Sequence, residues 1–296
     1  MAETPVRDLV RFERRGGTVI LTLDHPPVNV LSRAVLEALS VRLSQAEADP
    51  EARTVVLASA ADKAFAAGAD IREMAPLDPS GARVHGARGQ AVTRQIERLP
   101  LPVIAAVHGV ALGGGCEVCL ACDLIIASED AQFGQPEINL GVMPGWGGTR
   151  RLPRRVGASR ARRWILTGRS VPAAEAFAQG FVDRVVPRSD LLPAAVALAD
   201  ELATKPPLAL AAAKYALLEA IDPHIEAGLT YELGLWARLF GTDGQKEGMG
   251  AFLEKRVPAR MSRHDWEASS QGFPWARDAA PPSKGKRNKD ETSTRA

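Results

Sequence analysis

Several features are scarce or missing in this 296-residue chain. No apolar run approaches the ~20 residues that cross a bilayer, so no membrane partner is expected. The amino terminus, MAETPVRDLVRFERRGG, carries Glu3, Asp8 and Glu13 and has no apolar signal core, so a cytoplasmic protein is expected. The formal net charge is only +2, and no global field draws the chain to nucleic acid or acidic lipid. The one concentrated basic run is Lys284, Lys286, Arg287 and Lys289, which reads as a solvated end. Also missing are a phosphate-binding P-loop, a G-x-G-x-x-G opening a helix, an H-E-x-x-H and a G-x-S-x-G elbow. Their absence removes the main support for kinase, P-loop ATPase, zincin and α/β-hydrolase chemistry. His25 and His108 have no Ser or Cys partner nearby in sequence, and structural roles are expected for both. Only three cysteines occur, Cys116, Cys119 and Cys122, in the run CEVCLAC. A helix would place them roughly on one face, but a structural zinc or iron–sulfur site needs a fourth ligand and none follows. They are expected to be buried free thiols in a reducing compartment, with no metal bound.

What is present is an alternation of strand, turn and helix. Residues 8–24 alternate apolar and polar about Gly16-Gly17, which predicts a β-hairpin ended by Pro26-Pro27. Ser32 is placed to cap a helix with Val35, Leu36, Leu39 and Leu43 on one face. Strands are predicted at 54–59, 102–109 and 124–128, recurring at 40- to 50-residue spacing as in an α/β domain. Residues 63–74 and 132–152 read as Gly-rich loops. Residues 75–90, rich in Pro, Gly and Ala, read as a mobile stretch before a short helix at 91–99. From residue 158 the pattern turns helical, with helices expected at 158–167, 172–180, 190–204, 207–221, 224–240 and 243–256. The expected organisation is a catalytic core over 1–195, a helical region over 196–260 and a disordered tail over 261–296.

Two small-residue loops follow predicted strands. In GVALGGGCE (109–117) three glycines lead into a helix. The first N–H groups of a helix have no intrahelical partners and suit an oxygen that gains negative charge. Close packing of a tight strand–helix turn explains the same glycines equally well. The loop AAGADI (66–71) could supply the second donor of an oxyanion site or be a simple turn. Glu117 lies in the first turn of the helix, where an acid also simply complements the helix dipole. Glu137 follows Pro136 in a loop, where an acid is usually solvated. Two carboxylates meeting at an oxyanion site would allow paired acid–base work.

The segments KAFAAGADIREM, VHGVALGGGCEVCLACDLIIAS and AQFGQPEINLGVMPGWGGTRRLPRRVG, in this order, resemble the enoyl-CoA hydratase/isomerase (crotonase) family. LTGRSVPAAEAFAQGFVDRVVP and QKEGMGAFLEKR extend the resemblance, which runs over residues 8–258. It implies an α/β fold, a spiral of ββα units followed by carboxy-terminal helices that build trimers, often paired into hexamers. It implies oxyanion N–H groups at Ala69 and Gly114, catalytic glutamates at Glu117 and Glu137, and a backbone position near the catalytic water at Gly145. It implies contacts with the coenzyme A thioester from Val28, Ala67, Asp70, Ile71, Arg72 and Trp146. Arg72 falls where a basic residue meets the coenzyme phosphates, and Phe252 and Lys255 where carboxy-terminal residues reach a neighbouring subunit's coenzyme. Coenzyme A is then part of the substrate and no separate cofactor is implied.

Two acids favour reversible hydration of a trans-2-enoyl-CoA to a 3-hydroxyacyl-CoA. Family isomerases often keep only the acid at the Glu137 position. Double-bond isomerisation is the nearest alternative, and a catalytically idle RNA-binding or scaffold member is the other. The segment HPPVNVLS is shorter than the commoner family version, and the tail after Arg260 has no family counterpart.

Overall fold

The computed structural model describes residues 9–221 and 224–259, with 219–221 described by backbone alone. The expected hairpin forms from β1 (Val10–Arg15) and β2 (Thr18–Leu23), with Gly16 at φ 58° in its turn. Three ββ pairs follow, each delivering one strand to each of two sheets. They are β3 (Thr54–Ser59) with β4 (Ala64–Ala66), β5 (Val103–Val107) with β6 (Val110–Leu112), and β7 (Leu124–Ser128) with β8 (Gln132–Gly134). Two three-residue strands, β9 (Ser170–Pro172) and β10 (Arg184–Val186), close the set. The larger sheet has the order β1-β2-β3-β5-β7-β10 and the smaller β4-β6-β8-β9. Apart from the β1–β2 and β8–β9 pairs, every ladder is parallel. This is the spiral of ββα units that the family resemblance implies.

The continuous apolar runs belong to strands covered on both faces, as parallel sheets require. On one face of the larger sheet Val19, Leu21, Val55, Leu57, Val103, Ala105 and Ile125 join a core with α1 (Arg33–Ala48). That helix is capped by Ser32, whose hydroxyl accepts the Val35 N–H at 3.4 Å. On the other face Ile20, Val56, Ile104, Ile126 and Val186 pack against Leu191, Ala195 and Ala199 of α8 (Leu191–Ala203). Remaining helices are α2 (Ile71–Met74), α3 (Pro79–Arg98), α4 (Gly114–Ala121), α5 (Gly148–Val156), α6 (Ala158–Thr167), α7 (Ala173–Ala178), α9 (Pro207–Ile221), α10 (Ile225–Leu239) and α11 (Asp243–Leu253).

The stretch 75–90 corrects the sequence reading, because residues 79–98 form a single 20-residue helix, α3. Asp78 caps it by accepting the Gly81 N–H at 2.7 Å, and Pro79 occupies its first position, where a missing N–H costs nothing. Gly86 and Gly89 serve close packing here. A Cβ on Gly86 would fall 2.6 Å from Leu233 Cδ1 of α10, and one on Gly89 would fall 2.1 Å from Trp146 Cε2. Residues 63–74 and 132–152 are also more ordered than loops. They hold β4 and α2, and β8, a 3₁₀ turn at Pro136–Leu140 and the start of α5. The expected tail at 261–296 and its basic run lie outside the described residues.

Candidate active site

Because β4 and β6 are parallel neighbours, the loops that leave them run side by side. Ala69 lies in the first loop, and Gly114 opens α4 at the end of the second. Gly113, the residue that caps α4, has φ 51°, a left-handed conformation that favours glycine. A Cβ built on Gly68 would lie 2.9 Å from Leu112 O and 3.6 Å from Gly114 N, which shows how closely the loops approach. Among the described residues, neither the Ala69 N–H nor the Gly114 N–H has a hydrogen-bond partner.

Glu117 stands one turn into α4 and is buried at 2% exposure, although it is an acid. Its Oε1 accepts the N–H groups of Trp146 at 2.7 Å and Gly148 at 2.8 Å. Burial pushes its carboxyl well above the ordinary carboxylate range, and repulsion from Glu137 and Glu232 adds to that. The two backbone N–H groups pull the other way. Glu137 lies in the 3₁₀ turn, and its Oε1 is 3.2 Å from where a Gly113 Cβ would stand. Its carboxyl is therefore turned toward the Gly113 backbone at the start of α4, half-buried where a loop acid is usually solvated. With the Gln135 amide nitrogen turned toward it, that amide donates to the carboxyl oxygens at 2.9 and 3.2 Å. Burial raises the Glu137 carboxyl from 4.5 to about 8. The two carboxyls interact, so they titrate as a pair and not singly.

Both glutamates line one cavity of about 410 Å³. Ala67, Ala69, Ile71, Gly114, Gly145, Trp146 and Phe252 line it as well. Val28, Asp70, Arg72 and Lys255 do not. Val28 O accepts the Ala67 N–H at 3.0 Å and so braces the first loop. Asp70 caps α2 by accepting the Arg72 N–H at 2.9 Å, while the Arg72 side chain is exposed next to Ile71. Lys255 is exposed just beyond α11, with φ 56°. Phe252 borders the cavity of its own chain because α11 packs on the 3₁₀ turn.

Sequence reasoning missed part of the cavity wall: Met74, Leu112, Leu140, Val142 and Trp236. Trp236 and Phe240 are buried in a cluster with Met74, Val142 and Met249, so these two aromatics are used inside the chain and not on an assembly surface. Glu232 was missed too. It is 1% exposed, and it accepts the N–H groups of Gly147 at 2.6 Å and Thr149 at 2.9 Å and the Thr149 hydroxyl. Its signal was present in the sequence. Ile225, Leu229, Glu232 and Trp236 fall on one buried stripe of α10, and an acid in an apolar stripe needs internal partners.

The three cysteines are free and fully enclosed. Burial pushes each thiol upward, Cys122 to about 12, so the reactive thiolate is suppressed. Among the described residues no group of three or more His, Cys, Asp and Glu side chains is arranged to hold a metal.

Residues 13–262 match the family model described as enoyl-CoA hydratase/isomerase, and the chain belongs to that family. It is 40% identical over 248 residues to the short-chain-enoyl-CoA hydratase of Clostridium acetobutylicum, covering 83% of this chain and 95% of that protein. It is 43% identical over 246 residues to the 2,3-dehydroadipyl-CoA hydratase of Escherichia coli, with coverages of 83% and 95%. The crystal structure of an enoyl-CoA hydratase from Bacillus anthracis superposes with a TM-score of 0.70 at 37% identity, covering 85% of this chain and 98% of that one.

Proposed function

We propose that this chain is an enoyl-CoA hydratase, a hydro-lyase that adds water reversibly across the 2,3 double bond of a trans-2-enoyl-CoA. The observation that carries the reading is one cavity with two raised carboxyls, Glu117 and Glu137, beside two unpartnered N–H groups, Ala69 and Gly114. The thioester oxygen sits between the two N–H groups. As water adds to the β-carbon, negative charge gathers on that oxygen, and each donor stabilises it by ~3–4 kcal/mol. Glu117, oriented by the Trp146 and Gly148 N–H groups, takes a proton from the water. Glu137, raised to about 8, is protonated at neutral pH and delivers its proton to the α-carbon. The water oxygen forms the new C–O bond while the π pair moves to the α-carbon through the enolate, and the shared proton returns to the pair.

Ile71 and Trp146 wall the acyl space in this reading. Arg72, exposed beside that wall, meets the coenzyme phosphates, with Lys255 beyond Phe252 as a second cation. Coenzyme A arrives with the substrate, and the reaction uses no other cofactor. The carboxy-terminal helices assemble a homotrimer or hexamer. Leu208 at 82% exposure, Leu217 at 61% and Tyr231 at 61% supply apolar surface for it. Buried, protonated thiols fit the cytoplasm as its compartment. The test is loss of enoyl-thioester absorbance across trans-2-enoyl-CoA substrates of increasing length. A protein that moves the double bond without adding water is an isomerase, and one inert toward every thioester refutes the enzyme reading.

A further inference from the structure

Four consecutive N–H groups open α5 and the turn before it, at Trp146, Gly147, Gly148 and Thr149. A helix start leaves such donors without intrahelical partners. Here two carboxylates take them alternately: Glu117 accepts from Trp146 and Gly148, and Glu232 accepts from Gly147 and Thr149. Alternate N–H groups of a turn point in different directions, so fixing one pair fixes the direction of the other. Glu232 reaches the turn from α10, a helix that contributes neither proposed catalytic acid. The carbonyl side is held as well, since Gln90 Nε2 donates to Gly145 O at 3.1 Å and to Leu229 O at 3.0 Å.

We propose that Glu232 is a positioning residue of the hydratase site, holding the 145–149 turn so that the Trp146 and Gly148 N–H groups aim at Glu117. This rests on the hydratase reading for its consequence in catalysis, but the geometry stands without it. Burial raises the Glu232 carboxyl above its ordinary value, and the donors from Gly147, Thr149 and Gln90 pull back toward the charged form. A charge there also repels charge on Glu117 and Glu137 and keeps a proton on that pair to higher pH. The other charged groups facing Glu232 are the Glu97–Arg151 ion pair of α3 and α5, while His85 of α3 stands against Trp236. Arg151 attracts the Glu232 charge and offsets part of its burial.

The experiment is Glu232→Gln, which preserves size and removes the charge, assayed beside the parent on a short trans-2-enoyl-CoA across pH. The expected result is a kcat loss of about ten-fold with KM unchanged, the scale of a weakened hydrogen bond to a charged group. The alkaline limb of the kcat profile should also move to lower pH, because the removed charge had been raising the pair. Glu232→Asp keeps the charge and should return that limb toward the parent's position. A folded Glu232→Gln protein with the parent's kcat and profile overturns the proposal. So does one that loses kcat without moving the limb, since that is only structural damage. If Glu232→Gln does not fold, Thr149→Val decides. It removes one donor to Glu232 and should lower kcat roughly three-fold at constant KM, and an unchanged kcat overturns the proposal. A parent that hydrates no thioester refutes the hydratase reading instead. Infrared titration of the protonated carboxyls then replaces turnover, with a downward shift in Glu232→Gln expected and no shift overturning the inference.

Discussion

Gly89 of α3 and Trp146 of the turn before α5 are in such close contact that a Cβ on the glycine would lie 2.1 Å from the indole Cε2. The same ring lies against Gly114, where an added Cβ would stand 2.4 Å from Cζ3. Two glycines therefore set the position of the tryptophan that walls the cavity. Gly89→Ala should cost ~1–3 kcal/mol through overpacking and should lower kcat by displacing the turn that holds Glu117. Replacing Trp146 with Leu in the same protein should recover part of the stability. Urea denaturation of Gly89→Ala, Trp146→Leu and the double variant checks this, and additive losses would show that the contact is not the cause.

Glu117→Gln and Glu137→Gln should each reduce kcat by ~10²-fold or more with little change in KM, because in the proposed mechanism both act on protons in the transition state. The double variant should fall far short of the product of the two losses, since the acids work as a unit. Single variants with near-parental turnover on a well-hydrated substrate would refute the two-glutamate mechanism. Loss confined to Glu137→Gln, in a parent that only shifts the double bond, would replace hydration with isomerisation.

The same burial makes Glu137 a liability to the fold at high pH. Its carboxyl is raised from 4.5 to about 8, so the folded chain binds more protons than the unfolded chain between those values. The favourable contribution is fully present below about 4.5 and disappears as pH rises through about 8. Glu137→Gln carries no such charge. Its stability relative to the parent should therefore increase from about pH 5 to about pH 9, by roughly 1 kcal/mol or more. A stability difference that stays constant across that interval would mean the carboxyl is not raised.

Arg72 is exposed on α2 and caps nothing with its side chain, so Arg72→Ala should leave the fold intact. As a remote phosphate contact it should raise KM several-fold with kcat unchanged, because the contact is the same in ground and transition states. A kcat loss at constant KM would place it elsewhere.

The proposed assembly would use the exposed apolar residues of α9 and α10, of which Leu208, Leu217 and Tyr231 are the most exposed among the described residues. Sedimentation at micromolar concentration should find a trimer or hexamer, and changing Leu208 and Tyr231 to Lys together should weaken it. A stable monomer of the unaltered chain would reject the trimer.

The sequence by itself determined an α/β core and the family. Continuous apolar strands at a regular spacing favour sheets covered on both faces, and the order of the Gly-rich segments carried the family, whose resemblance implied the spiral. The resemblance singled out Glu117, Glu137, Ala69 and Gly114, where the residues alone fit a dipole-capping acid, a solvated acid and simple turns as well, and the fold brings all four to one cavity. Tertiary structure decided the rest. The glycines of 75–90 read as flexibility, yet Gly86 and Gly89 lie in one continuous helix, where α10 and Trp146 occupy the space a side chain would take. Trp236 and Glu232 come from about a hundred residues beyond Glu117 and Glu137, and no local pattern joins the one to the cavity wall or the other to the turn behind it. Only the packing of α10 on α3 and α5 brings them there, where a buried acid has to find donors and the turn before α5 supplies them.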